Sequence, residues 1–327
     1  MINLAQWQQI RRVDHAHLGI VNPRTQAHSA DAPDLKDFDA DVDAYGRAHN
    51  NFDRVSSLGR IMQRAKHATL QNREMPSRYM EAISQLYHAA EGELNNICPS
   101  DYGPARRTDL FSLSDGLQMN PRRVQVNVIY LTPAGSTPNV GTIDATINDH
   151  LNAANNVYQA AGISIVRTNP VVQVVSQTPT GESILLANVP EVPAQMQGKF
   201  AAQGRSGERL IQHCNQPGPG ANTIDVVYVS EYDENDVQGK TYRAGAEYAG
   251  GIPNRPIVTV RLTPPAQGAA THRTTLAHEL GHALTGEENH SSERGCLMAS
   301  GPNRTAANTL SDGHIVWLRH NSYARAT

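Results

Sequence analysis

The stretch that most restricts the fold of this chain is Thr275-Leu-Ala-His-Glu-Leu-Gly-His-Ala-Leu-Thr-Gly-Glu-Glu-Asn-His290. His278 and His282 stand four residues apart, so on a helix of about 3.6 residues per turn both imidazoles project from one face. Leu276, Leu280 and Leu284 recur at four-residue steps, which predicts an amphipathic helix with its apolar stripe toward a core. Gly286 stands where that helix must stop and the chain turn. A third imidazole, His290, follows the turn.

Two imidazoles one turn apart suit a single tetrahedral ion, and zinc readily takes neutral histidine in that geometry. Glu279 projects beside His278, where a carboxylate can hydrogen-bond a metal-bound water without joining the ligands. That is the place of a general base. Zinc lowers the pKa of bound water from about 16 to about 7, so a neighbouring carboxylate can take the proton while the metal polarises a carbonyl. The chemistry implied is peptide or amide hydrolysis. With 14 histidines in the chain, His-Glu-x-x-His can arise by accident. The helical periodicity, the stop glycine and the third imidazole set this occurrence apart from a bare match.

These residues resemble the metzincin clan of zinc endopeptidases, whose pattern is the His-Glu-x-x-His helix, a glycine turn, a third histidine and a later methionine-containing turn. Cys296-Leu297-Met298-Ala299-Ser300 is similar to that last turn, with Met298 as the methionine. The resemblance covers residues 278 to about 300 by motif and 123 to 327 by order of elements. It implies zinc held by His278, His282 and His290, Glu279 as general base and then proton donor to the leaving amine, and Met298 beneath the site. The clan's usual spacing places its glycine and its last ligand at positions held here by Thr285 and Glu288. Gly286 and His290 are both displaced, so the turn is longer. Either His290 reaches the ion across the longer turn or Glu288 replaces it as a carboxylate ligand. His290 is favoured, because imidazole is a common zinc ligand and the glycine has shifted in the same direction. Asp312 is the sole acid after Glu293, so a site built on a later carboxylate would have to use it.

At 327 residues the chain is long enough for a sizeable core and a smaller module. The expected fold class is α+β: a metzincin-like catalytic domain over residues 121–327, with a mixed twisted sheet and a zinc-bearing helix, preceded by a helical module over 1–120. A formal net charge of -3 gives no electrostatic reason for nucleic acid or anionic membrane as a partner. No apolar run approaches the roughly 20 residues that cross a bilayer, and the N-terminus lacks the apolar segment of a signal peptide. The expected location is cytoplasmic, or outside the cell by a signal-independent secretion system. Cys98, Cys214 and Cys296 form no Cys-x-x-Cys pair; after export, a Cys214 to Cys296 disulfide would become available.

Residues 1 to about 50 read as polar and weakly structured, with aspartates from Asp31 to Asp43, and the His15-x-His17 pair reads as incidental. Val55–Ala68 and Pro76–Leu94 carry apolar residues at helical spacing and form a candidate hairpin. Residues 99–122 are the linker. Val124–Tyr130 alternates as a first strand, and Thr142–Ala161 is a helix with Thr142 as cap and Gly162 as stop. Strands follow at Ile163–Val166, Val171–Val175, Thr223–Ser230 and Ile257–Leu262, with a helix at Ser206–Cys214 and a closing helix at Ser311–His320. In that closing helix His314 and His320 are read as packing residues. By resemblance, the segment around Tyr248–Val260 would line an extended substrate.

The front module is a propeptide, a targeting unit or a partner-binding unit. Cys98 or Asp101, just before the catalytic domain, would be the group to block the zinc if it is a propeptide. The partners implied are a protein or peptide substrate and, for an exported toxin or effector, secretion machinery or an inhibitor. The rival reading is a non-catalytic protein that keeps a zinc-stabilised fold for binding; Glu279 argues against it, since such a protein needs no base.

Overall fold

The computed structural model describes residues 35–71, 77–98, 109–110, 112–113, 115–133, 136–168, 172–175, 183–186, 193–215, 222–264, 269–305 and 308–327. The chain forms two compact units. One gathers the described residues before Asn120 with Asn289–Glu293 and Ser311–His320; the other holds Asn120–Glu288, Arg294–Leu310 and Asn321–Thr327.

The first unit is helical. Its helices include α1 (Leu35–Arg47), α2 (Asn51–Gln71) and α3 (Ser77–Ile97), joined by a helix from the far end of the chain. α1 lies in the stretch read as weakly structured, and it forms because Phe38, Val42 and Tyr45 fall on one buried face. Its acidity is neutralised locally: Asp41 receives Arg60 Nε at 2.8 Å and Arg64 Nε at 2.6 Å, both from α2. The rest of the acidic stretch, with His15 and His17, lies outside the described residues. In α2 and α3 the predicted stripes are buried, from Val55, Leu58 and Ile61 to Ile83, Leu86 and Leu94.

The second unit is a mixed sheet with helices against it. β1 (Arg122–Thr132) pairs in parallel with β2 (Ile163–Arg167) and then β3 (Val172–Val175) on one side, and with β4 (Thr223–Val229) on the other. β4 is followed outward by β5 (Gly239–Tyr242) and β6 (Ile257–Arg261), in the spatial order β2-β1-β4-β6-β5. β5 alone on that path is antiparallel, to β6. All seven residues of β4 are buried, the signature of a strand covered on both faces, and its sequence is accordingly a near-continuous apolar run. Beneath one face, Leu210 and Ile211 pack with Phe200, Val227, Val229 and Tyr232.

Helix α4 (Val140–Tyr158) follows β1, and α5 (Arg205–Cys214) precedes β4. The cap of α4 is Asn139, not Thr142: the Asn139 side chain accepts the Thr142 N–H at 3.2 Å, so Thr142 is the receiver of the cap. Gly162 ends this segment in the left-handed region at φ 59, which a side chain would strain. Helix α6 (Thr275–Thr285) lies against α4, β5 and β6. The short strand β7 (Arg325–Ala326) returns antiparallel to the start of β1.

The edge expected around Tyr248–Val260 is placed differently. Val258 and Val260 sit inside the sheet in β6, between β4 and β5, and the edge itself is β5. The late helix of the first unit is α7 (Asp312–Arg319), capped by Ser311, whose hydroxyl oxygen accepts the His314 N–H at 3.3 Å. It crosses α2 glycine on glycine, since a Cβ on Gly59 would lie 2.8 Å from the Gly313 nitrogen. His314 Nε2 lies 2.8 Å from the Phe52 carbonyl, and the Trp317 ring packs on Phe52 at 5.2 Å between centroids. Arg319 Nε and His320 Nε2 converge on Asp109 at 3.0 and 2.7 Å. Burial alone would raise the Asp109 pKa, yet His320 and Arg319 hold it below the ordinary carboxylate value. Both histidines are thus packing residues of the helical unit.

All three cysteines are buried, and none is in a disulfide. Among the described residues, no helix is long and apolar enough to cross a membrane.

Candidate metal centre

α6 is buried along nearly its whole length, from Thr275 to Leu284, and stops at Gly286, whose φ of 68 lets its N–H return to the His282 carbonyl at 2.9 Å. His278 and His282 project from one face, and their Nε2 atoms stand 3.2 Å apart. Each ring is fixed from behind. His278 Nδ1 lies 2.7 Å from the Leu297 carbonyl and His282 Nδ1 lies 2.6 Å from the Glu287 carbonyl. A carbonyl only accepts, so both Nδ1 atoms carry hydrogen and both Nε2 atoms present lone pairs.

His290, exposed, completes a trio whose ring nitrogens all lie within 4.8 Å of one another; it is the one such group of three or more His, Cys, Asp or Glu among the described residues. Glu288 does not enter it. Its Oε1 is paired with Arg243 Nη2. Asp312 accepts from Gln63 Nε2 in the helical unit. Cys98 is buried at the end of α3, where its N–H meets the Leu94 carbonyl at 2.9 Å, and Asp101 lies outside the described residues.

Glu279 is buried, and its Oε2 accepts the Thr241 hydroxyl of β5 at 2.7 Å. β5 comes this close only because Gly239 has no side chain: a Cβ there would lie 2.6 Å from Glu279 Cγ and 2.9 Å from Thr275 Cγ2. Met298 is fully buried beneath α6, and a Cβ on Gly281 would lie 2.9 Å from its Cε. The glycine between the two histidines is therefore the seat of the methionine. Tyr158 of α4 adds a hydrogen bond to the Ala277 carbonyl at 2.9 Å.

Two contributors escaped the sequence reading. β5 is four residues, Gly239-Lys-Thr-Tyr242, with too little alternation to stand out, so Thr241 was invisible as a partner of Glu279. Arg304 donates from Nη2 to the Thr271 carbonyl at 3.1 Å and to Thr274 Oγ1 at 3.3 Å, bracing the start of α6 from a glycine- and proline-containing loop. Burial pushes its pKa down to about 10.

Burial also pushes His282 down to about 4, so its ring is neutral and available as a ligand at neutral pH. His150 of α4 is likewise pushed down to about 4 by burial, and burial lowers His272 and His314 as well. His150 and His282 bind fewer protons folded than unfolded between about pH 4 and the unfolded value near 6.5. Stability present at neutral pH is therefore lost as pH falls through about 6.5, and the loss is complete below about 4. We expect the metal-free protein to lose on the order of 2 kcal/mol per strongly shifted ring between about pH 7 and pH 5. Urea midpoints in chelator at the two pH values measure it; equal midpoints would show that these rings are protonated in the fold.

No family model matches this chain, and no curated protein matches it. Among solved structures it is similar to the crystal structure of metalloproteinase-II from Bacteroides fragilis, at 14% identity and a TM-score of 0.34. The match covers 59% of this chain and 52% of that one, about half the length of that structure.

Proposed function

We propose that the protein is a zinc-dependent endopeptidase of metzincin type, with His278, His282 and His290 as ligands and Glu279 as the base. One observation carries the reading. Two imidazole nitrogens that both present lone pairs stand 3.2 Å apart in a buried site, which is repulsive unless a cation lies between them. Ligand nitrogens about 2.0–2.1 Å from a tetrahedral ion are themselves about 3.3 Å apart, so the pair already has the spacing zinc requires. Neutral nitrogen donors of this kind suit zinc better than calcium or magnesium.

When bound, zinc supplies Lewis acidity that makes a water more acidic and a peptide carbonyl more electrophilic. The Glu279 carboxylate takes the proton from the attacking water and returns it to the leaving amine nitrogen, so one group serves first as base and then as acid. Thr241 holds one carboxylate oxygen, which fixes the direction of the other. The Leu297 carbonyl sets His278, and the Glu287 carbonyl sets His282, as partners behind metal ligands do. A binding-only protein would have no use for a buried carboxylate held beside the imidazole pair.

Elemental analysis after dialysis against zinc tests the metal, with casein cleavage followed on the same samples. We expect one zinc per chain in the wild type and loss of both metal and cleavage in His278→Ala. A wild type that takes up no zinc overturns the reading.

A further inference from the structure

We infer that Arg243 is a positioning residue for the second metal ligand, acting through the turn that follows α6, and that Glu288 belongs to this clamp instead of to the metal. The inference rests on the metal reading above. Arg243 directly follows β5. Its Nη1 donates to the Gly286 carbonyl at 2.8 Å, and its Nη2 is paired with Glu288 Oε1. The guanidinium thus grips the residues on either side of Glu287. The Glu287 carbonyl is the acceptor that fixes the hydrogen of His282 on Nδ1, at 2.6 Å.

The grip has a firm base. The Arg243 N–H donates to the Tyr248 hydroxyl at 2.9 Å, and Tyr248 meets Tyr242 edge to face at 5.4 Å between centroids. The turn itself begins with the Gly286 N–H on the His282 carbonyl at 2.9 Å. Thr285 Oγ1 donates to the Gly281 carbonyl at 2.7 Å and accepts a long contact from the Glu287 N–H at 3.4 Å, while Gly286 offers no Cβ and two adjacent carboxylates repel. A planar fork that binds a carbonyl and a carboxylate at once is geometry that lysine cannot reproduce with one ammonium.

The pair is not a source of global stability. The Glu288 side chain is 63% exposed and that of Arg243 30%, and ion pairs so open to water contribute little to folding. What the clamp supplies is the position of one carbonyl, and through it the tautomer of one imidazole. Partners behind metal ligands typically change metal affinity by about 10-fold to 100-fold, and Arg243 lies one residue further back, so the lower end applies.

The test uses the full chain as wild type, Arg243→Ala and Arg243→Lys. Long-range proton–nitrogen correlation spectra of the metal-free protein at neutral pH report the His282 tautomer, and competition with a chromophoric chelator reports zinc affinity. We expect a single Nδ1–H tautomer in the wild type and a tautomer mixture in Arg243→Ala. Zinc affinity should be about tenfold weaker in Arg243→Ala with an unchanged melting temperature, and partly restored in Arg243→Lys, which can still donate to the Gly286 carbonyl. An unchanged tautomer and unchanged affinity in Arg243→Ala overturn the inference while the metal reading stands. If the wild type binds no zinc but the tautomer still responds to Arg243→Ala, the metal reading falls and the positioning role stands.

Discussion

Glu279→Gln is expected to keep its zinc and lose peptide hydrolysis by about 100-fold to 10,000-fold, the range that a positioned base or acid contributes. The substitution isolates proton transfer. Glutamine has the same shape, and its amide oxygen can still accept the Thr241 hydroxyl that reaches Glu279 Oε2 at 2.7 Å. It is not one of the imidazoles, so the metal should remain. What it lacks is basicity: an amide cannot take a proton from water and return it to an amine. Metal content and cleavage of a peptide substrate must be read on the same preparation. A variant that retains its zinc and cleaves within a few-fold of the wild type would remove Glu279 from the chemistry. A variant that loses the metal would show that the carboxylate has a structural part in the site.

Gly313→Ala is expected to destabilise the helical unit by roughly 3 kcal/mol, and Gly92→Ala to stabilise it by about 0.5–1 kcal/mol. The two glycines differ in what a methyl group would meet: Gly313 is buried in the first turn of α7, and Gly92 is exposed inside α3. At Gly313 a Cβ would run into the Val55 carbonyl, with the carbonyl carbon at 2.8 Å, and backbone cannot swing aside as a side-chain end can. Separating α2 from α7 exceeds the roughly 1 kcal/mol gained in helix propensity. At Gly92, inside α3, nothing lies within 4 Å, so only the propensity gain remains. Thermal melts followed by far-ultraviolet circular dichroism should show a loss of roughly 10 °C for the first variant and a gain of a few degrees for the second. A Gly313→Ala protein as stable as the wild type would mean that α7 does not dock on α2 as described.

The zinc-type motif was legible because its information is local. His278, Glu279 and His282 are set by helical periodicity, and Gly286 by the need of a helix to end in a left-handed residue. The longer strands were legible for the same reason: β4 is covered on both faces and reads as an apolar run broken by Asp225. What stayed hidden is pairwise and distant in sequence. Thr241 meets Glu279 from 38 residues away, and Arg243 reaches Glu288 across 45. α1 escaped notice because its aspartates look like a solvated surface until Arg60 and Arg64 are seen to neutralise Asp41. Between His290 and Glu288, ligand chemistry and the shifted glycine favour His290 in the sequence; the pairing of Glu288 with Arg243 is another such distant contact.

The glycine-on-glycine crossing of α2 and α7 has a bearing on how such a chain could be processed. A leader that is to be cut away must come off without taking anything essential with it, and this one is stitched to residues 311–320. Remove the residues before Asn120 and Arg319, fully buried, loses the Asp109 carboxylate it is paired with, while Trp317 and His314 lose the Phe52 surface they lie on. Breaking a buried ion pair by removing one partner typically costs about 3–5 kcal/mol. Excision of the chain before Asn120 would thus take away the surface on which α7 is packed.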